Sequence, residues 1–272
     1  MLKLILAIDI GGSKILLGLV HNGKLIKTFK QSINKKEPLK KQLFKAIDSV
    51  FSKDILSIKV ACPGIGDFLK GEIYYGANIN AKRFNIKKAL EERYKTKVFI
   101  DNDANCFSLY EWKRLKSYKN LVGITLGTGL GFGVIIDNKI LYGTGLTSEL
   151  GHIIVKDVEL EEEYKNIILN SPFKSFKEAY DSKNKEKYKV FENLASIVSI
   201  TVYNAILAYA PEIIVLGGGV TKAKDLFLKG TNKKLSQLLK RYNIKKPKIK
   251  IDSSDFAVLK GAALLKQKHK LK

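Results

Sequence analysis

Apolar runs alternate with glycine-bearing breaks from the start of the chain. Leu4 to Ile8 reads as a buried strand that opens into a turn at Gly11-Gly12. Two more strand-like runs, Lys14 to Val20 and Lys24 to Lys30, meet through His21-Asn22-Gly23, and Asn-Gly between such runs predicts a hairpin. The period then changes: Leu39, Leu43, Ala46, Ile47 and Val50 fall on one face of a helix over Pro38 to Phe51. A strand at Leu56 to Ala61 ends in Cys62-Pro63-Gly64. A helix over Ile86 to Arg93 and a short strand, Val98 to Ile100, lead into Asp101-Asn102-Asp103 and a helix from Ala104 to Leu115.

The opening pattern returns further along. Leu121 to Leu126 is a strand, Gly127 to Gly131 a glycine turn, Phe132 to Ile136 a strand, and Asp137-Asn138 a tight turn into Lys139 to Leu141. Strand, glycine turn, strand, turn, strand therefore occurs twice, a duplication of architecture without residue identity. Lys156 to Lys189 is polar and predicts short surface helices. Val190 to Tyr209 is a long, largely apolar helix that stops before Pro211. Ile213 to Leu216 is a strand opening into Gly217-Gly218-Gly219 and a helix; a strand at Lys248 to Ile251 and a helix over Ala257 to Lys266 follow.

Composition narrows the class. The 272 residues, 45% hydrophobic and 28% charged, suit a globular chain of one large or two small domains. No run of eighteen apolar residues suggests a membrane span, and the apolar start, interrupted by Lys3 and ended by Asp9, reads as a strand rather than a signal peptide. Cys62 and Cys106 form no C-x-x-C pair, so a reducing cytoplasm is the expected setting. Lys and Arg total 49 against 26 Asp and Glu, a net charge of +23. That balance admits a polyanionic partner, including nucleic acid, or simply a lysine-rich solvated surface. No single basic block with interleaved aromatics stands out.

The two glycine turns carry the candidate chemistry. Asp9-Ile10-Gly11-Gly12-Ser13-Lys14 and Leu126-Gly127-Thr128-Gly129-Leu130-Gly131 each join two strands. Glycine lets backbone N–H groups approach phosphate oxygens, and Ser13 and Thr128 add hydroxyls. Neither turn is a P-loop, and neither leads into a helix as a dinucleotide fingerprint does. Either turn alone is equally well a tight hairpin; two of them, the first preceded by a carboxylate, favour a pair of phosphate clamps. Asp9, at the end of a buried strand, is a Mg²⁺ ligand, direct or through water, or else a turn-capping residue. Gly217-Gly218-Gly219 ahead of a helix would offer backbone donors to a nucleotide.

Taken in order, these motifs resemble the ROK family of sugar kinases and repressors, in the actin-like ATPase superfamily. The resemblance rests on Asp9-Ile10-Gly11-Gly12-Ser13-Lys14, Pro63-Gly64, Asp101-Asn102-Asp103-Ala104-Asn105, Leu126-Gly127-Thr128-Gly129-Leu130-Gly131, Glu149-Leu150-Gly151-His152, Leu216-Gly217-Gly218-Gly219-Val220 and Gly261-Ala262-Ala263. It implies an α/β fold of two actin-like (ribonuclease H-like) lobes around a central cleft that binds ATP, Mg²⁺ and a sugar. The lobes would span 1–115 and 116–255, with a C-terminal helix in 256–272 returning to the first. It implies cofactor-binding roles for Asp9, Gly11, Gly12, Ser13, Lys14, Gly127, Thr128 and Gly129, and an adenosine site at Gly217, Gly218 and Gly219. Asp103 would be the base that deprotonates a primary hydroxyl, with Asp101 as its competitor in the same tripeptide. Asn78, Asn102, Glu149 and His152 would bind the sugar. A homodimer in the cytoplasm is the expected assembly.

Two departures from the family pattern matter. The cysteine-rich zinc motif that many members carry after the Gly-His pair is missing from Ile153 to Asn170, so no structural zinc is expected. The sugar-binding glutamate that follows that motif would be Glu161, although in Leu160-Glu161-Glu162-Glu163 a solvated helix face explains the acids as well. The first turn begins at Asp9, so the repressors' DNA-binding segment is not expected ahead of it. The resemblance thus implies hexose phosphorylation of the glucokinase type. The rivals are a catalytically silent sugar sensor, a nucleic-acid binder, and a kinase that uses polyphosphate or acts on an N-acetylhexosamine.

Overall fold

The computed structural model describes residues 3–34, 36–76, 81–143, 148–155 and 157–266. The chain divides into two compact units. One comprises Met1–Arg114, Tyr142–Thr147 and Phe256–Lys272; the other comprises Leu115–Leu141 and Ser148–Asp255.

In the first unit, β1 (Leu4–Ile10), β2 (Lys14–His21) and β3 (Lys24–Ser32) form an antiparallel meander. Asn22 and Gly23 both take positive φ, 48° and 75°, as a tight hairpin of right-handed strands requires. Helix α1 (Leu39–Asp48) buries Leu39, Leu43, Ala46 and Ile47, the face that the spacing predicts. Strand β4 (Ile55–Cys62) then lies parallel to β1. A small antiparallel sheet follows, made of β5 (Ile65–Asp67), β6 (Glu72–Gly76) and β7 (Ala81–Asn85). Helix α2 (Ile86–Tyr94) is capped by the Asn85 side chain, which accepts from the Lys88 N–H at 2.8 Å. Strand β8 (Lys97–Asn102) pairs parallel with β4 and runs straight into α3 (Asp103–Leu115). The main sheet has the order β3-β2-β1-β4-β8.

The second unit repeats this plan. Strands β9 (Leu121–Leu126), β10 (Leu130–Ile136) and β11 (Lys139–Ile140) are the meander. A 3-10 turn at Leu150–His152 and a two-strand ribbon, β12 (Ile154–Val155) with β13 (Val158–Glu159), lead to α4 (Leu160–Leu169), α5 (Phe176–Asp181) and α6 (Glu186–Tyr209). Strand β14 (Ile213–Gly217) is parallel to β9, and after α7 (Lys224–Lys240) strand β15 (Lys248–Ile251) is parallel to β14. The order is β11-β10-β9-β14-β15, the same succession of two antiparallel and two parallel pairings as in the first unit. Two such sheets are the duplicated ribonuclease H-like arrangement of the actin-like ATPase fold.

Helix α6 is long and apolar enough to cross a bilayer, but 56% of its apolar window is buried. Phe191, Leu194, Val198 and Val202 pack in the core of the second unit, so its apolarity is that of a core helix. Helix α4 exposes Glu162 and Glu163 and buries its other face, where Leu160, Tyr164 and Ile167 belong to the same core. The last helix, α8 (Ala257–Leu264), belongs to the first unit, where Leu259 and Ala262 pack with Ala7, Ala61 and Cys106.

Candidate functional site

In the first unit the candidate residues stand at the carboxyl ends of three neighbouring parallel strands. Register aligns Asp9 with Ala61 and Ala61 with Asp101, and the next pair is Cys62 with Asn102. Such strand ends are where open α/β sheets bind ligands. The Asp9 carboxyl is desolvated and feels the charge of Asp103, and these two effects push its pKa up to about 7 against the pull of Lys14. Two carboxylates are therefore close enough to repel each other, with one lysine beside them. Burial likewise holds the Cys62 thiol well above its ordinary value, helped by Asp103 and Asp9, so it is protonated and unreactive.

The geometry separates the two acids of Asp101-Asn102-Asp103. Asp101 is fully buried. It accepts hydrogen bonds from the Asn102 N–H at 2.8 Å, the Asn105 amide at 3.0 Å and the Tyr142 hydroxyl at 2.6 Å. Burial first, and then the charge and hydrogen bond of Asp101, raise the Tyr142 pKa. Asp103 is half-buried and opens α3, where unpaired helix N–H groups favour an anion. One of its oxygens accepts from the Ala104 N–H at 2.9 Å. The Asn102 side chain accepts from the same N–H at 2.8 Å and donates to the Gly64 carbonyl at 3.4 Å, which ties the corner to the Pro63-Gly64 turn. The first glycine turn closes through the Gly11 N–H donating to the Lys14 carbonyl at 2.9 Å, and the Ile33 N–H donates to the Ser13 carbonyl at 2.9 Å. Gly12 lies within this turn. Asn78 lies outside the described residues.

In the second unit a separate group forms around the second glycine turn. The Gly127 N–H donates to the Gly129 carbonyl at 3.1 Å, and Thr128 is exposed between them. The Tyr164 hydroxyl donates to the Gly127 carbonyl at 2.8 Å, so α4 anchors the turn. Glu161, one helical turn earlier, lays its carboxylate against Gly129. Its side chain is 13% exposed, whereas Glu162 and Glu163 face solvent, so of the three acids Glu161 alone turns inward. Lys165 pairs with it at 2.6 Å, and the His152 Nε2 stands 3.7 Å away. The other His152 nitrogen, Nδ1, meets Glu159 at 2.9 Å. Glu149 precedes the 3-10 turn, and its carbonyl accepts from the His152 N–H at 3.0 Å. Glu161 and His152 thus meet beside the glycine turn.

The third glycine run does not open directly into α7; a 3-10 turn, Gly219–Ala223, intervenes. Gly217 ends β14, and Gly218 packs on the backbone of Leu126, next to the second glycine turn. Gly219 has open space where a side chain would point. The Thr221 hydroxyl donates to the Gly218 carbonyl at 2.7 Å and lies 3.0 Å from the Ser253 hydroxyl.

Tyr142, Tyr164 and Thr221 escaped the sequence reading. For Tyr164 a signal existed, because Leu160, Tyr164 and Ile167 keep helical spacing and put Tyr164 on the buried face. Tyr142 meets Asp101 across 41 residues and Thr221 meets Ser253 across 32, and local patterning carries no trace of either contact.

The ROK family model matches residues 5–269. A glucokinase of Halalkalibacterium halodurans is 29% identical over 82% of this chain and 82% of its own length. An N-acetyl-D-glucosamine kinase of Histophilus somni is 30% identical over 94% of this chain and 97% of its own. A ROK family glucokinase from Streptomyces griseus, solved in complex with glucose and AMPPNP, is similar in fold with a TM-score of 0.79 at 24% identity, over 96% of this chain and 98% of that one. With the family pattern running through both sheets and the strand ends that hold Asp9 and Asp103, the chain belongs to the ROK family.

Proposed function

We propose that this chain transfers the γ-phosphoryl group of ATP to a primary hydroxyl of a hexose, with Asp103 as the general base. The class, a sugar kinase, follows from family membership and from kinase relatives that match over most of their length. The observation that carries the finer reading is the division of labour in Asp101-Asn102-Asp103. Asp101 is sealed by three donors, and Asp103 stands half-buried beside Asp9. In this reading Asp103 takes the hydroxyl proton as the sugar oxygen bonds to phosphorus and ADP leaves. Asn102, Glu149, His152 and Glu161 bind the sugar. Asn78 is assigned the same role by the family resemblance alone. Glucose is the favoured substrate, and the Histophilus relative makes N-acetylglucosamine the second candidate.

Mg²⁺ fits Asp9: a desolvated carboxylate beside a second one gains from a hard cation, and magnesium commonly uses one or two carboxylates with phosphates and water. When bound, it supplies neutralisation of phosphate charge. The two glycine turns and Lys14 hold the phosphates, and Gly217 to Gly219 the adenosine. We place the protein in the cytoplasm, where ATP is supplied and where its two buried cysteines, not joined in a disulfide, stay reduced, and we expect a homodimer.

The test is ADP release from MgATP across glucose, mannose, fructose, glucosamine and the N-acetylhexosamines, with polyphosphate as an alternative donor. Sugar-dependent ADP on one or more hexoses supports the reading. Sugar binding without turnover from either donor would replace it with the sensor. Glu161→Gln should raise the sugar KM about tenfold with a small change in kcat, because one charged acceptor becomes neutral. An unchanged KM would return Glu161 to the role of a Lys165 partner.

A further inference from the structure

Ten described non-glycine residues have positive φ, and nine of them are exposed. Hairpin positions such as Asn22, Asp137 and Asn138, or helix ends such as Lys95 and Ala210, explain several of these. Ser148 is the tenth. Its φ is 76°, a left-handed value that a side chain disfavours, yet it is only 5% exposed. Its Oγ is also the one buried side-chain polar atom without a hydrogen-bond partner among the described residues. Buried hydroxyls elsewhere do find partners, as Ser199, Thr221 and Thr231 show.

Both features are unfavourable, and a glycine at this position would remove both. Strain and unpaired polar groups that persist together tend to mark places where a ligand completes the structure. Ser148 directly precedes Glu149, and His152 follows within the same short turn.

We propose that Ser148 is a further sugar ligand, whose Oγ exchanges a hydrogen bond with one hydroxyl of the hexose ring. The inference rests on the sugar-kinase reading and adds a residue to it. A site with a buried hydroxyl waiting for a partner discriminates against a sugar that lacks the matching group, because binding that sugar leaves the hydroxyl unpaired. Ser148 therefore contributes selectivity among hexoses as well as affinity.

The experiment uses the full chain. Calorimetry without nucleotide gives the Kd for glucose and its 2-, 3- and 4-deoxy analogues, for wild type, Ser148→Ala and Ser148→Gly. Steady-state kinetics gives KM and kcat alongside. Ser148→Ala keeps the backbone strain and loses the hydroxyl; it should weaken glucose binding about five- to tenfold with kcat and the ATP KM within twofold. One deoxy analogue, the one missing the partner hydroxyl, should bind wild type and Ser148→Ala equally. Ser148→Gly should lose the same affinity while melting at a higher temperature, since the strain is gone. Unchanged glucose affinity in both variants overturns the proposal. So does an equal loss for every analogue, which would mean a structural hydroxyl. Wild type that binds hexoses but releases no ADP would sink the kinase reading while leaving the Ser148 comparison intact.

Discussion

Asp103→Asn is expected to lower kcat by about 10²–10⁴-fold, the usual worth of a general base, with sugar affinity retained within a few-fold. The amide keeps the shape of the side chain and can still accept from the Ala104 N–H, so the corner between β8 and α3 survives. What it loses is the capacity to take a proton. Asp101→Asn serves as the contrast. Asp101 is fully buried and holds the Asn102 N–H, the Asn105 amide and the Tyr142 hydroxyl. Replacing the oxygen that faces Tyr142 by an NH₂ group forces that hydroxyl to turn and accept, and it removes the charge that strengthens all three bonds, a cost of about 1–3 kcal/mol. That variant should therefore melt earlier and lose activity mainly through KM and stability, with a smaller change in kcat. Stopped-flow or coupled ADP assays on both variants, with thermal melts, decide the matter. If Asp103→Asn turns over at near the wild-type rate, or if Asp101→Asn alone abolishes kcat at full stability, the base has been assigned to the wrong residue.

The ease of reading this chain varied with the range of the interactions involved. The meanders β1–β3 and β9–β11 were legible because each strand alternates or is continuously apolar and each turn carries its own chemistry. Asp137 and Asn138, at φ 48° and 65°, form the second tight turn as Asn22 and Gly23 form the first. The duplication of the sheets follows from that repetition. The small sheet β5–β7 was not legible. Its strands are three to five residues long, Tyr74 and Tyr75 face solvent, and Ile73 of β6 is fully buried between polar and exposed neighbours, so no hydrophobic pattern announces it. Asp103 and the glycine turns were found from their motifs, and the family resemblance put Asp103 ahead of Asp101. What the local sequence could not show is that Asp101 is held by Tyr142, which only the folded chain brings to it. Glu161 was ambiguous among three acids for a similar reason: Lys165 is a local partner on the same helix, but Gly129 and His152, which single it out, come from other stretches of the unit.

Gly218 and Gly219 are adjacent and should respond to alanine in opposite ways. Gly218 has φ 89° and ψ 169°, a region of backbone space that is almost exclusively glycine's. A Cβ there would run into the Leu126 carbonyl oxygen and lie 2.9 and 3.0 Å from the Leu126 carbonyl carbon and nitrogen. These are backbone atoms of a central strand, held by pairing to β10 and β14, and they cannot move aside as a flexible side chain would. Strain and overpacking each cost about 1–3 kcal/mol, so Gly218→Ala should destabilise by about 3–5 kcal/mol and lower Tm by roughly 10 °C. Because the displaced backbone leads directly into Gly127, the ATP KM should rise as well. Gly219 has no positive φ, and a Cβ on it meets nothing within 4 Å. Gly219→Ala should therefore melt with the wild type. If this run receives the adenosine, the new methyl group fills space that the nucleotide needs, and the ATP KM rises with no loss of stability. Melting curves and ATP titrations of the two variants thus distinguish a glycine kept for the fold from one kept for a ligand. A Gly219→Ala enzyme with an unchanged ATP KM would remove the adenosine from this turn.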